Sequence, residues 1–127
     1  MEIKITKTTS PKAKQADESK LGFGHIFTDH MFIMDYTRER GWYDARIVPF
    51  GNLELHPAST VFHYGAEIFE GLKAYRTAEG KVQLFRPEEN IRRLNSSADR
   101  MRLPLVDEKE LLAALVKLIE IEQDWVP

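Results

Sequence analysis

Two prolines and an aspartate cut the C-terminal part of the chain into a pair of amphipathic helices, so what precedes them must offer a surface on which both can pack. Pro87 suits the first position of a helix, where its missing N–H is not needed, and Glu88 and Glu89 complement the positive end of the helix dipole. Ile91, Leu94, Ala98 and Met101 then recur at helical spacing and predict a buried stripe, which Pro104 ends. Asp107 has N-cap chemistry with Glu110 three residues on. Leu111, Leu112, Leu115, Leu118 and Ile119 give the second helix its apolar face.

Upstream the period falls from that of a helix to that of a strand. Ile3 and Ile5 alternate with polar neighbours and predict a short edge strand. The residues from Phe27 to Tyr36 are rich in aromatic, β-branched and methionine side chains and read as a buried strand. Gly41 turns the chain, and a second strand runs from Trp42 to about Val48. Pro49 and Pro57 bracket a connection in which Gly51 and Asn52 are expected to close a further hairpin. Residues Ala58 to Gly65 fit a short helix or a loop equally. The alternation from Ile68 to Arg76, the turn at Ala78-Glu79-Gly80 and the return from Lys81 to Phe85 predict another hairpin. The expected fold class is α+β, a mainly antiparallel sheet with two C-terminal helices packed on it.

With 127 residues the chain can bury one hydrophobic core. Residues 10–20 are rich in Lys, Ser, Ala, Gln and acidic groups and read as a mobile arm, which divides the chain into an arm at 1–20 and a domain at 21–127. A net charge of -2 gives no support for nucleic acid or an anionic membrane as the principal partner. The absence of cysteine excludes disulfides, a thiolate nucleophile and Cys-based zinc sites, and fits a reducing compartment. No apolar run approaches the ~20 residues of a membrane span. The N-terminus lacks the features of a signal or transit peptide, so a cytoplasmic location is expected. His25, His30, His56 and His63 have neither metal-ligand nor nucleophile-motif spacing; structural or solvent-facing roles are expected and no metal site is assigned.

Several side chains admit two readings. Glu89 and Arg93 stand four apart, the spacing of an exposed helical ion pair, and Arg86, Glu89, Arg93 and Arg100 share a polar stripe that suits either water or a ligand. Phe23 and Phe69 read from composition as core residues. Tyr64 could flank an aliphatic group while its hydroxyl meets a polar neighbour. Gly65 and Gly71 mark bulges, turns or a close approach.

Motifs in a fixed order add a family. Phe23-Gly24, Phe27-Thr28-Asp29-His30-Met31, Leu55-His56-Pro57, the run from His63 to Arg76, Phe85-Arg86-Pro87 with Asn90 and Arg93, and Asp124-Trp125-Val126-Pro127 are together similar to the start of a branched-chain-amino-acid aminotransferase, a class IV pyridoxal-phosphate enzyme. The resemblance covers about Leu21 to Pro127. It implies the small N-terminal domain, in the fold type shared with D-amino-acid transaminases. It also implies Arg93 as a contact to the phosphate of pyridoxal 5'-phosphate, and Phe23, Tyr64 and Phe69 as walls of the substrate pocket. The implied substrates of the complete enzyme are leucine, isoleucine or valine with 2-oxoglutarate and glutamate, and the implied assembly is a homodimer. The lysine that bonds the cofactor is expected beyond residue 127, since neither Lys73 nor Lys81 occupies its position. No catalytic residue is therefore assigned within this chain, and the chain alone is expected to be inactive. A stand-alone binding module is the alternative, against which stands the apolar terminus of Ile119, Ile121, Trp125 and Val126.

Overall fold

A computed structural model describes all 127 residues. Its larger sheet has three strands in the order β1-β3-β2: β1 (Lys4–Ile5), β2 (His30–Thr37) and β3 (Gly41–Pro49). β2 and β3 form the expected hairpin, and Gly41 takes a φ of 68° at its turn, a conformation that costs glycine no steric penalty. The ladder breaks between Ile33 and Asp35, and Asp44 takes up the extra residue at a φ of 52°. β1 pairs with β3 in parallel, so the sheet is mixed. A second sheet consists only of β4 (Ala74–Arg76) and β5 (Val82–Leu84).

Three helices complete the fold: α1 (Thr60–Tyr64), α2 (Pro87–Arg100) and α3 (Glu108–Glu122). Pro87 stands at the start of α2 with Glu88 and Glu89 in its first turn, and the Asp107 carboxylate accepts the Glu110 N–H at 2.9 Å to cap α3. Glu110 does not complete a capping box; its carboxylate binds the N-terminal ammonium of Met1 at 2.8 Å and raises that group's pKa. α2 ends before Pro104 is reached, with Met101 as its cap and Arg102 at a φ of 58°. The connection to α3 is held by Asn95, whose amide exchanges two hydrogen bonds with the Val106 backbone, and by the Trp42 indole donating to the Leu105 carbonyl at 2.7 Å.

The core lies where α2 and α3 meet the sheet, and it is small. Ile47 is fully buried and joined by Ala45, Ile91, Ala98 and Ala114. Of the stripe expected on α2, Ile91 and Ala98 are buried and Leu94 is half-buried, whereas Met101, the residue that caps the helix, is exposed.

Two expectations fail in the segment between β3 and α2. No hairpin forms at Gly51-Asn52: after Pro49 there is no strand for the chain to pair with, and it runs irregularly to Ser59. The strand expected from Ile68 begins only at Ala74. Alternation specifies an extended backbone, whereas a ladder also needs a partner, and β5 is three residues long. At Gly71 side chains take over that role, the Asn90 amide donating to its carbonyl at 3.0 Å and Glu70 accepting its N–H at 3.2 Å.

The polar arm carries one short turn, Glu18–Lys20, and is fastened to the start of β2. The Thr8 N–H donates to His30 Nε2 at 2.9 Å and the Lys12 N–H to Asp29 Oδ1 at 2.8 Å. His30 Nδ1 meets Glu122 from the end of α3, whose second oxygen accepts the Asp29 N–H at 3.1 Å. Asp29 also accepts from the Trp125 indole at 3.2 Å, and these donors, the Lys12 N–H foremost, hold its carboxyl below the usual range. Asp29, His30 and Glu122 are all buried, and every one of their polar atoms is partnered. No helix is long and apolar enough to cross a membrane.

The accessible surface is 9820 Å², well above the roughly 6,900 Å² expected of a compact chain of this mass. Large aromatic side chains are among the exposed groups: Phe23, Phe62, Tyr64, Phe69, Tyr75 and Phe85. The 127-residue chain is therefore expected to self-associate. Sedimentation coefficients should rise with concentration and an apolar dye should bind, whereas a concentration-independent monomer that binds no dye would contradict an uncovered apolar face.

Candidate functional site

The four side chains singled out from sequence lie on four different local structures. Tyr64 is the last residue of α1, where Gly65 ends the helix in the left-handed conformation at a φ of 59°. Phe69 belongs to the extended, unpaired run that follows. Phe23 sits between Gly22 and Gly24, both with positive φ, in the loop ahead of β2. Arg93 projects from α2.

Phe23, Tyr64 and Phe69 are 92%, 82% and 86% exposed, so Phe23 and Phe69 are not core residues of this chain. The reason is topological: the α2–α3 layer covers one face of the sheet, and the loops and the short α1 that carry these aromatics lie outside it. Their rings do not stack on one another, and the Tyr64 hydroxyl has no hydrogen-bond partner. They present apolar surface without enclosing a pocket. An aliphatic side chain gains about 1.5–3 kcal/mol on complete burial, so rings that wall only one side supply part of that.

Arg93 does not pair with Glu89. Glu89 instead receives Arg92, with Arg86 at 3.7 Å, both at i,i+3 spacing. Arg93 turns to Glu70, 23 residues earlier, donating from Nε to Oε2 at 2.8 Å and from Nη2 to Oε1. Burial decides the exchange. The Glu70 side chain is only 11% exposed, so it needs a counter-charge more than the wet Glu89 carboxylate does. Asn90, one turn before Arg93, also donates to Glu70 Oε1 at 3.1 Å. Arg93 first, then Asn90, pull the Glu70 carboxyl down to about 2, and Glu70 raises the Arg93 pKa in return. Sequence spacing could not have found this pair, although both residues lie within motifs already marked as informative.

The chemistry of this group suits an anion. Glu70 occupies one edge of the guanidinium, formed by Nε and Nη2. Arg93 Nη1 makes no hydrogen bond, and the side chain is 68% exposed. The outer edge, with one N–H from each terminal nitrogen, is free to meet two oxygens of a phosphate side by side. Arg93 thus fits a phosphate as one donor and not as a complete cradle. Lys73 and Lys81 are both exposed, and Lys81 lies 3.6 Å from Glu79.

No family model matches the chain. It is 55% identical over 125 residues to branched-chain-amino-acid transaminase 1 of Bacillus subtilis, a match covering 98% of this chain and 35% of that protein. It is 49% identical to branched-chain-amino-acid aminotransferase 2 of the same organism over 125 residues, 98% of this chain and 34% of the relative. It is also 42% identical, over its whole length and 31% of the relative, to the cytosolic branched-chain-amino-acid aminotransferase of Caenorhabditis elegans. The chain spans about a third of the length of the curated relatives it matches.

Proposed function

We propose, from its 42–55% identity to branched-chain-amino-acid aminotransferases over about a third of their length, that this chain belongs to that family and forms part of an enzyme that moves an amino group between leucine, isoleucine or valine and 2-oxoglutarate. Residues 21–127 act as the small domain and residues 1–20 as its arm, in a cytosolic homodimer. Pyridoxal 5'-phosphate is the cofactor, and when bound it supplies the electron sink that this transfer requires. Arg93 binds one side of its phosphate. Phe23, Tyr64 and Phe69 form one wall of the pocket for the aliphatic side chain.

The observation that carries this reading is the pairing of an oriented guanidinium with three aromatic rings left 82–92% exposed on the same small chain. A water-facing surface has no use for such rings, whereas a pocket completed by further protein does. The same exposure disfavours a self-sufficient binding module. The test is a substrate profile of the longer protein, with each amino acid offered against 2-oxoglutarate and glutamate measured. Leucine, isoleucine and valine are expected to lead by at least an order of magnitude over alanine and aspartate, since each added methylene in an apolar pocket contributes about tenfold or more. A preference for small or acidic substrates would overturn the assignment.

A further inference from the structure

We propose that Glu70 is a positioning residue that fixes Arg93 for phosphate binding, with Asn90 as its brace; this rests on the reading of Arg93 given above. A long exposed arginine ordinarily samples many rotamers and must be ordered when its ligand arrives. Here the ordering precedes the ligand. The Glu70 side chain is only 11% exposed and takes the inner edge of the guanidinium through both carboxylate oxygens. Asn90 Nδ2 reaches Glu70 Oε1 at 3.1 Å and the Gly71 carbonyl at 3.0 Å, and the Gly71 N–H donates to Oε1 at 3.2 Å. The carboxylate is therefore held from α2 and from its own backbone at once. Only the outer edge of Arg93 remains, and its direction is set by groups that do not touch the phosphate.

The charge of Glu70 works against this role, which makes its sign diagnostic. A carboxylate beside the site repels a phosphate, so removing the charge without disturbing the geometry would strengthen binding. Positioning predicts the reverse.

The experiment is a titration of the longer apo-protein with pyridoxal 5'-phosphate and, separately, with pyridoxal, which lacks the phosphate. Wild type, Glu70→Gln, Arg93→Ala and the double variant are compared. Glu70→Gln is expected to weaken pyridoxal-phosphate binding about tenfold and to leave pyridoxal binding unchanged, and it should add nothing in the Arg93→Ala background. Unchanged or tighter pyridoxal-phosphate binding in Glu70→Gln, with Arg93→Ala impaired, overturns the positioning role and leaves the phosphate contact standing. Unchanged binding in Arg93→Ala overturns the contact itself. An equal loss for pyridoxal shows general damage and also counts against the proposal. Should Glu70→Gln fail to fold, Asn90→Ala carries the test: it removes the brace, keeps the ion pair, and is expected to raise the ratio of the two dissociation constants.

Discussion

Replacing Glu122 by alanine is expected to be the most damaging single substitution outside the apolar core. Glu122 is 6% exposed and its two oxygens meet His30 Nδ1 and the Asp29 N–H. His30 Nε2 already accepts the Thr8 N–H, which leaves the ring proton on Nδ1, directed at Glu122. Alanine would orphan two buried donors, each at a cost of about 1–3 kcal/mol. Glu122→Gln retains one acceptor and should cost less than alanine. The check is the urea midpoint of the longer protein, followed by tryptophan fluorescence. The arm should loosen as well, since Thr8 and Lys12 are tied to the same network, and trypsin should cut sooner at Lys12, Lys14 or Lys20. A stability loss below about 1 kcal/mol with unchanged proteolysis would show that these donors find other partners.

The second large effect is the absence of catalysis by the 127-residue chain. Supplied with pyridoxal 5'-phosphate, leucine and 2-oxoglutarate, it is expected to form glutamate no faster than the free cofactor, where a complete enzyme turns over at about 1–10³ s⁻¹. A lysine that bonds a cofactor aldehyde must be activated, by desolvation in an apolar pocket or by a neighbouring cation. Lys81 is exposed and beside a carboxylate, and Lys73 is exposed on the unpaired run before β4. Turnover above the cofactor background would place the essential lysine within these residues.

Much of the architecture was written locally. Pro87 with Glu88 and Glu89 marks the start of α2, Asp107 caps α3, and Gly41 turns the β2–β3 hairpin, because each signal acts over a few residues whatever the rest of the chain does. The same locality explains the failures. Ile68 to Gly71 carries the alternation of a strand, but no partner strand of matching length lies beside it, and Asn90 and Glu70 take up the backbone groups at Gly71 instead.

The site was less accessible to sequence reading. Arg93 stood out through its family motif, yet the spacing to Glu89 suggested the wrong partner, and nothing in the pattern marked His30 and Glu122 as a buried pair 92 residues apart. The sequence by itself determined the two long helices and where each begins, left Ala58 to Gly65 open between helix and loop, and supplied aromatic rings and a guanidinium as candidate site groups. Only the tertiary structure decided that Glu70 and not Glu89 holds Arg93, that a histidine and two carboxylates are buried together beneath the arm, and that Phe23, Tyr64 and Phe69 face outward. Caps and periodicity are set by neighbours along the chain. The choice of counter-ion and the exposure of a ring depend on which distant segments are brought alongside and which polar groups are thereby removed from water.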